Sequence, residues 1–204
     1  TVAQAVPLRY AEDRSPAIVN PLFTTTMAEA RLNELIFDGL FTDDLELRST
    51  PQLVDSYEVA EDRMSITLTL RDDVRWHDAL PLTAKDVVFT IKAMKSPSTA
   101  STESGRAQWI RAATEVDERT VNISFRRPEY APEDKLQFKI LPAHKFESTA
   151  VKRTDPFRNR PIGTGPYMLI GFNDDNSITL QRYPTYHRDV RPDQRGERAR
   201  AAQG

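Results

Sequence analysis

Apolar and polar residues alternate strictly in two segments of the chain. From Ser65 to Arg71 every second residue is apolar, and the same period of two recurs from Val121 to Phe125. Since neighbouring side chains of a strand point to opposite faces, each segment predicts a half-buried β-strand with one face in the core. The turn-like residues 117–119 precede the second segment. We therefore predict an antiparallel hairpin that pairs it with residues 110–116.

Two helices are predicted, each by a capping box followed by apolar residues at helical spacing. Thr26 and Glu29 have the spacing in which a Thr hydroxyl and a Glu carboxylate satisfy free N–H groups at a helix start. We expect this helix to end at Gly39 in a left-handed conformation. The second helix begins at Thr83 and ends before the Ser-Pro pair at positions 96 and 97. The predicted apolar faces are Ala28, Leu32, Leu35 and Ile36 in the first helix, and Val87, Val88, Ile91 and Met94 in the second.

Further elements are predicted near both ends of the chain. A Gly-Thr-Gly-Pro turn at residues 163–166 leads into a strand at 167–172, and residues 177–180 alternate again, which predicts a second hairpin. Residues 8–11 are a further strand candidate, followed by a polar, irregular loop. Few apolar residues follow His187. We expect residues 188–204 to be disordered, because burial there cannot offset the entropy lost on ordering.

The composition is that of a globular protein, and it makes some partners unfavourable. Of 204 residues, 39% are hydrophobic and 28% are charged. The 28 Lys and Arg residues are balanced by 30 Asp and Glu residues, so no global positive field favours nucleic acid or an anionic lipid surface. The absence of cysteine excludes disulfides, thiolate nucleophiles and Cys-ligated zinc. No apolar run approaches the roughly 18 residues of a membrane-spanning helix.

The histidines are the candidates for chemistry. His77 and Asp78 could form half of a metal site, which would suggest a metal-dependent hydrolase. Adjacent side chains of an extended segment diverge, however, so we favour a structural turn. His144 and His187 are isolated, and we expect the first to fix a helix start and the second to be solvated. No nucleophile-elbow or Ser-x-x-Lys motif is present, and we predict no catalytic residue, no metal site and no cofactor.

The sequence DRMSITLTLRDDVRWHD at residues 62–78, followed by PLTAKDVVF at residues 81–89, combines an alternating strand, a Trp-His-Asp turn and a capped helix. This combination resembles the family 5 extracellular solute-binding proteins, the oligopeptide, dipeptide and nickel binding subunits of ABC importers. Shorter segments agree: NELIFDGL from residue 33, ILPAH from residue 140 and PIGTGPY from residue 161. One departure is Ala79, where the family usually has glycine. The turn must either avoid a positive φ there or bear its cost.

The resemblance implies a mixed α/β fold. The chain would supply an incomplete first lobe of a class II periplasmic-binding-protein fold, with the family's additional α+β domain inserted into it. Residues 1–47 and 163–187 would belong to the first lobe, and residues 48–162 would form the additional domain around an antiparallel sheet. Family members are more than twice as long and clamp ligand between two lobes. We therefore expect the second lobe to be missing from this chain.

The resemblance also implies a function and a site. The chain would bind a solute, most simply a peptide, for a membrane permease of an ABC importer, in the periplasm or outside the cell. Residues 1–5 lack the features of an export signal, so we expect any such signal to have been removed. The loop after the first strand would face the cleft, where ligands of open α/β sheets bind. The candidate ligand-binding residues are Glu12, Asp13, Arg14, Ser15 and Asn20.

An alternative function stays open at this point. A lobe without its opposing lobe would expose its cleft face, so the chain could instead be a structural or protein-interaction module. It would then dock another chain or associate with itself through that face. A strictly monomeric state at high concentration would count against self-association.

Overall fold

A computed structural model describes residue 11, residues 16–173, residue 175 and residues 177–188. Most of the strand predicted at residues 8–11 and nearly all of the predicted disordered tail lie outside these residues. Helices α1 to α3 span Met27–Ile36, Ala84–Lys95 and Pro132–Lys135. Strands β1 to β8 span Phe41–Asp43, Ser49–Pro51, Val54–Val59, Ser65–Leu70, Ile110–Glu115, Thr120–Phe125, Tyr167–Phe172 and Ile178–Arg182.

An antiparallel sheet with the strand order β3-β4-β6-β5 forms the centre of the described structure. Ile66 pairs with Ile123 across β4 and β6, and Leu68 pairs with Val121. All four side chains are buried, which confirms the alternation predicted for both strands. The predicted hairpin is also confirmed, because β5 pairs with β6. One face of this sheet therefore belongs to the core.

Helix α2 packs against β5 and β6. Its predicted apolar stripe is buried, and Ser96 caps its C-terminal end as the sequence predicts. At the other end, Oδ2 of Asp86 accepts a hydrogen bond from the Thr83 N–H at 2.9 Å. Oδ1 of Asp86 accepts another from the Ala143 N–H at 2.8 Å. The carboxylate that caps this helix therefore also fixes the short 3-10 turn Ala143–Lys145.

Helix α1 has the predicted capping box, in which Thr26 and Glu29 bind each other's backbone N–H groups. Its buried face differs from the prediction. Leu35 is 38% exposed, whereas Asn33 is 3% exposed. Glu29, Asn33 and Ile36 lie on the face of the helix that packs against the core. Glu29 and Asn33 are buried there because each makes hydrogen bonds with residues before the helix. The assignment of Leu35 to the buried face was wrong.

Gly39 does not end α1 in a left-handed conformation, as the sequence predicted. The helix already ends at Ile36, and Phe37 is extended with a φ of −123°. Gly39 instead forms an isolated β-bridge with Lys139. A Cβ atom at this position would lie 2.6 Å from the carbonyl oxygen of Gln137. The glycine is therefore required by a close approach of two backbones.

The predicted hairpin of β7 and β8 is confirmed. The Gly-Thr-Gly-Pro turn before it crosses the C-terminal end of α1, where the Gly165 N–H donates to the Ile36 carbonyl at 2.9 Å. A Cβ atom at Gly163 would lie 1.8 Å from that same carbonyl oxygen. Only glycine allows this crossing. The hairpin therefore returns the chain to the helix that opens the fold.

Among the described residues, the hydrophobic core cluster includes residues on both sides of the boundary predicted at residues 47 and 48. Phe41 precedes that boundary and Leu53 follows it, and both are fully buried. The division into 1–47, 48–162 and 163–187 stays a prediction. The mixed α/β class is confirmed. Within the described part of the chain, no helix combines the length and the apolar character needed to cross a bilayer.

Candidate ligand-binding site

The predicted ligand-binding loop is described only in part. Glu12, Asp13, Arg14 and Ser15 lie outside the described residues. Asn20 is 1% exposed, and its Oδ1 accepts a hydrogen bond from the Leu22 N–H at 3.0 Å. This side chain therefore caps the 3-10 turn Pro21–Phe23. Ligand contact by these five residues stays a prediction.

A cavity of about 320 Å³ lies directly beyond that turn. Its lining comes from the segment 21–24, helix α1, strand β1 and residues 137–139, together with Met94 of α2 and with Glu103 and Arg106. Pockets that hold small organic ligands measure about 300 to 1,000 Å³, so this space lies at the low end of that range. It is therefore large enough for part of a small organic ligand. No sequence pattern predicts this cavity, because its walls come from six separate segments of the chain.

Asn33 lines this cavity from helix α1. Its Nδ2 donates to the hydroxyl of Thr24 at 2.8 Å, and that hydroxyl donates in turn to the Pro21 carbonyl at 3.2 Å. Oδ1 of Asn33 is buried and accepts no hydrogen bond within the described chain. The sequence indicates the inward direction of Asn33 only through its position, four residues after the capping Glu29 on the same side of the helix.

Charged side chains surround the rest of the cavity. Nζ of Lys139 lies 2.6 Å from the Glu34 carboxylate, and the Arg106 guanidinium lies 3.2 Å from that of Glu103. Asp43 receives a hydrogen bond of 2.6 Å from the neutral amide of Gln137. Both cations of the lining are thus engaged with a carboxylate.

A second polar cluster is largely buried beside the start of β1, and sequence reasoning proposed none of its residues as a site. Nε2 of Gln52 donates to Oδ1 of Asp38 at 2.6 Å, and the hydroxyl of Tyr186 lies 3.4 Å from the same oxygen. Nε2 of His187 lies 3.9 Å from Oδ2 of Asp38. The cluster joins a residue after α1, a residue after β2 and two residues after β8.

His187 is 4% exposed, so the prediction that it is solvated was wrong. The aromatic residues before it carry the chain inward: the hydroxyl of Tyr183 donates to the Trp76 carbonyl at 2.8 Å. The ring of His187 then lies against that of Tyr186, with centroids 4.6 Å apart. A single histidine after two tyrosines gives no period from which this burial could have been predicted.

Burial shifts the pKa values of this cluster in opposite directions. Desolvation raises the pKa of Asp38 to about 6, although Lys139 counteracts the shift. Desolvation, aided by the charge of Arg71, lowers the pKa of His187 to about 4. Both effects follow from removing a charged form from water. At pH values between these two, both side chains are therefore neutral.

His77 and Asp78 diverge, as the sequence predicted. Nδ1 of His77 accepts the Gly163 N–H at 3.2 Å and its Nε2 faces the Gly165 carbonyl at 2.9 Å, which requires the neutral Nε2–H tautomer. Burial accordingly lowers the pKa of His77. Asp78 points elsewhere, to the side chains of His144 and Lys145 at 2.8 and 2.9 Å. The two side chains therefore do not converge on one site.

Two further expectations about this region are resolved. His144 does not fix a helix start, because Asp86 holds that turn while the His144 ring binds Asp78. Ala79 bears the cost of the missing glycine, with a φ of 67°. Across the residues that the structure describes, no group of three His, Asp or Glu side chains is arranged to hold a metal ion.

The capped helix after the Trp-His-Asp turn and the glycine-containing segment 161–167 are features that resemble the family 5 solute-binding proteins. A family profile described as bacterial extracellular solute-binding proteins, family 5 Middle, matches residues 48–200. The chain belongs to this family. The resemblance drawn from the sequence is thereby confirmed.

Individual relatives agree with this assignment. Protein XP55 of Streptomyces lividans is 32% identical over 159 residues, which cover 77% of this chain and 29% of that protein. The dipeptide-binding protein of Escherichia coli K12 is 28% identical over 208 residues, covering 90% of this chain and 38% of that protein. The chain thus spans about a third of the length of these relatives.

Solved structures show the same fold. The crystal structure of NikZ from Campylobacter jejuni, in complex with Ni(L-His), superposes with a TM-score of 0.76 at 24% identity. The match covers 93% of this chain and 40% of NikZ. The expected class, part of a periplasmic-binding-protein fold of this family, is therefore confirmed.

Proposed function

We propose that this chain forms part of an extracytoplasmic binding protein that captures a peptide and delivers it to the permease of an ABC importer, without catalysing a reaction. Membership of the family 5 solute-binding proteins carries this proposal. The relative in Escherichia coli is named for dipeptide binding, which favours a peptide over other solutes. NikZ was solved with a nickel–histidine complex, so a nickel complex is the ligand class to test against it.

The described residues are consistent with binding. The turn Pro21–Phe23, which follows the loop predicted to line the cleft, leads into the cavity beside α1. Polar groups and exposed charges line this space, as expected for a site that orients a polar ligand. Periplasmic or extracellular location belongs to the same proposal.

Calorimetric titration with a mixed library of di- to pentapeptides tests the proposal. The same library is titrated into the Escherichia coli dipeptide-binding protein as a positive control. A nickel–histidine complex and a monosaccharide mixture are titrated separately into this chain. We expect saturable heat from the peptides only, with weaker binding than in the control, because this chain covers only 38% of that protein. Peptide binding as tight as in the control would overturn the expectation that ligand is clamped between two lobes. Binding of the nickel complex or the sugars without peptide binding would contradict a peptide ligand, and no heat from any of them would contradict binding by this chain.

A pair of variants locates the interaction. Arg14→Gln changes a residue predicted to contact ligand, and Arg111→Gln removes the same charge from the exposed face of β5. We expect the first to weaken peptide binding and the second to leave it unchanged. Equal affinities for both variants would remove the loop at residues 12–20 from the proposed site.

A further inference from the structure

Positive charge is concentrated in the basic segment, residues 152–160, which precedes the glycine crossing. The segment holds a single carboxylate, that of Asp155, and four cations, which are Lys152, Arg153, Arg158 and Arg160. Four positive charges and one negative charge leave it at +3, whereas the whole chain has a formal charge of −2. Counting the preceding Glu147 as well still leaves two excess positive charges. The balanced overall composition therefore conceals a local excess.

The described part of the chain does not neutralise these charges. The Asp155 carboxylate accepts a hydrogen bond from the backbone N–H of Lys152 at 2.8 Å and forms no ion pair with a cation of the segment. The Asp78 carboxylate, which faces the preceding turn, is engaged by Lys145 at 2.9 Å. None of the four cations forms an ion pair with another described residue. Their mutual repulsion would be relieved by an anionic partner.

The backbone that carries the four cations is anchored in the core. Val151 and Phe157 are buried, and the Phe157 ring packs against that of Phe146 with centroids 4.9 Å apart. The Arg158 N–H donates to the Asp155 carbonyl at 3.1 Å, which closes a 3-10 turn. Three of the four cations are exposed and the fourth is half-buried. The charges are thus displayed on a fixed surface, and binding does not have to order the backbone first.

The surroundings of the basic segment indicate which anionic partner it fits. None of its residues lines the cavity beside α1, so its charges do not serve that cavity. Its large apolar side chains are buried, so it lacks the exposed apolar anchors that form the centre of a protein interface. It also carries no exposed aromatic ring on which a nucleic acid base could stack. Clustered charge without such groups matches a layer of anionic lipid headgroups.

We infer that the basic segment is an electrostatic docking surface for a bilayer that contains anionic lipids. Three of its four cations are arginines, whose guanidinium groups can bind phosphate oxygens through two parallel N–H donors. Each Lys or Arg near an anionic bilayer strengthens the attraction by about fivefold. Such association holds the chain near a membrane and is separate from the capture of a peptide. Vesicle binding and peptide binding are measured independently, so neither result decides the other.

Sedimentation with sucrose-loaded vesicles tests the inference. The chain is mixed with vesicles of equal parts phosphatidylglycerol and phosphatidylcholine, and separately with vesicles of phosphatidylcholine alone. We expect it to pellet with the anionic vesicles at low salt and to be released at about 1 M salt, where the Debye length falls to about 3 Å. Equal binding to both kinds of vesicle, or no binding to the anionic ones, would overturn the inference.

Two quadruple variants with the same change of charge locate the surface. The first replaces all four cations of the basic segment with glutamine. The control replaces four exposed cations on other elements: Lys85→Gln, Lys92→Gln, Arg111→Gln and Arg127→Gln. We expect the first variant to bind anionic vesicles at least about a hundredfold more weakly, and the control to lose much less. Equal losses would show that only the net charge matters and would reject the basic segment as the surface.

A single substitution keeps the test independent of any effect on folding. The Lys152 side chain is exposed and has no hydrogen bond or ion pair within the described chain. We expect Lys152→Gln to weaken vesicle binding by about fivefold with an unchanged thermal midpoint. Unchanged binding by this variant would contradict the inference. Soluble polyaspartate provides the remaining comparison: if it binds the basic segment and anionic vesicles do not, the surface takes an acidic protein and the lipid assignment is wrong.

Discussion

Oδ2 of Asp38 lies 3.9 Å from Nε2 of His187, and both side chains are almost fully removed from water. Their pKa values are shifted toward each other's usual range, to about 6 for the carboxyl and about 4 for the imidazole. Folding therefore stabilises the neutral form of each. Near pH 5 in the unfolded chain, His187 is protonated and Asp38 is ionised. In the folded chain at the same pH, the Asp38 carboxyl holds a proton and the His187 imidazole is neutral.

The first prediction follows from the sign of each shift. The Asp38 pKa is raised in the folded state, so its contribution to stability is present below pH 3.8 and is lost as the pH rises through about 6. The His187 pKa is lowered, so its contribution is present above pH 6.5 and is lost as the pH falls through about 4. Because the two contributions to stability change with pH in opposite directions, the pair adds little pH dependence to the free energy of unfolding between pH 4 and pH 6.

Single substitutions should reveal separately how Asp38 and His187 make the free energy of unfolding depend on pH. Relative to the unsubstituted chain, we expect His187→Gln to gain stability as the pH falls from about 6 to about 4, and Asp38→Asn to lose stability over that range. Urea unfolding at several pH values measures both. The double variant serves as the control and should again be flat. The same slope in both single variants would show that the two groups do not titrate in opposite directions.

The second prediction concerns the left-handed turn at Ala79. A residue with a side chain is disfavoured at a φ of 67°, so we expect Ala79→Gly to stabilise the fold by about 0.5–1 kcal/mol. Ala112→Gly in the exposed part of β5 should destabilise it by about 0.5–1 kcal/mol. Thermal or urea unfolding distinguishes the two. Loss of stability in both variants would mean that the turn at Ala79 is not strained.

The third prediction tests the glycine crossing over α1. A Cβ atom at Gly163 would collide with the Ile36 carbonyl, so we expect Gly163→Ala to cost about 3 kcal/mol or more. Nothing lies within 4 Å of the Cβ position at Gly171. Gly171→Ala should therefore change the free energy of unfolding by less than about 0.5 kcal/mol. Similar losses at both positions would contradict a steric role for Gly163.

The fourth prediction checks the corrected face of α1. Ile36 is fully buried and Leu35 is 38% exposed. We expect Ile36→Ala to cost about 2–5 kcal/mol and Leu35→Ala less than about 1 kcal/mol. Urea unfolding of the two variants gives the comparison. A larger loss for the Leu35 variant would restore the face that the sequence pattern suggested.

Local patterns predicted much of the fold. The alternation in β4 and β6, both capping boxes and the two hairpins depend on neighbours in the sequence, and each was confirmed. The face of α1 was missed because Asn33 is buried through Thr24, nine residues away. A hydrophobic pattern cannot register a buried polar side chain whose partner lies outside the helix.

The candidate site was less predictable for a related reason. The cavity takes its walls from segments that are distant in sequence, and the buried cluster joins Asp38 to Tyr186, 148 residues later. Gly39 and Gly163 illustrate the same limit, since each is required by contact with a distant backbone and not by its own dihedral angles. Spacing rules describe one segment at a time, whereas these features depend on which segments meet.

The late return of the chain to α1 has a consequence for synthesis on the ribosome. Until Tyr186 emerges, Asp38 lacks a neighbour that will hold it, and at about 5 to 20 residues per second this delay is roughly 7 to 30 seconds. The sheet needs only strands from residues 54 to 125, so it can assemble earlier. Once residue 125 has emerged, the sheet can be folded while α1 still lacks its contacts with β7. We therefore expect α1 to become protected against a protease later than the sheet.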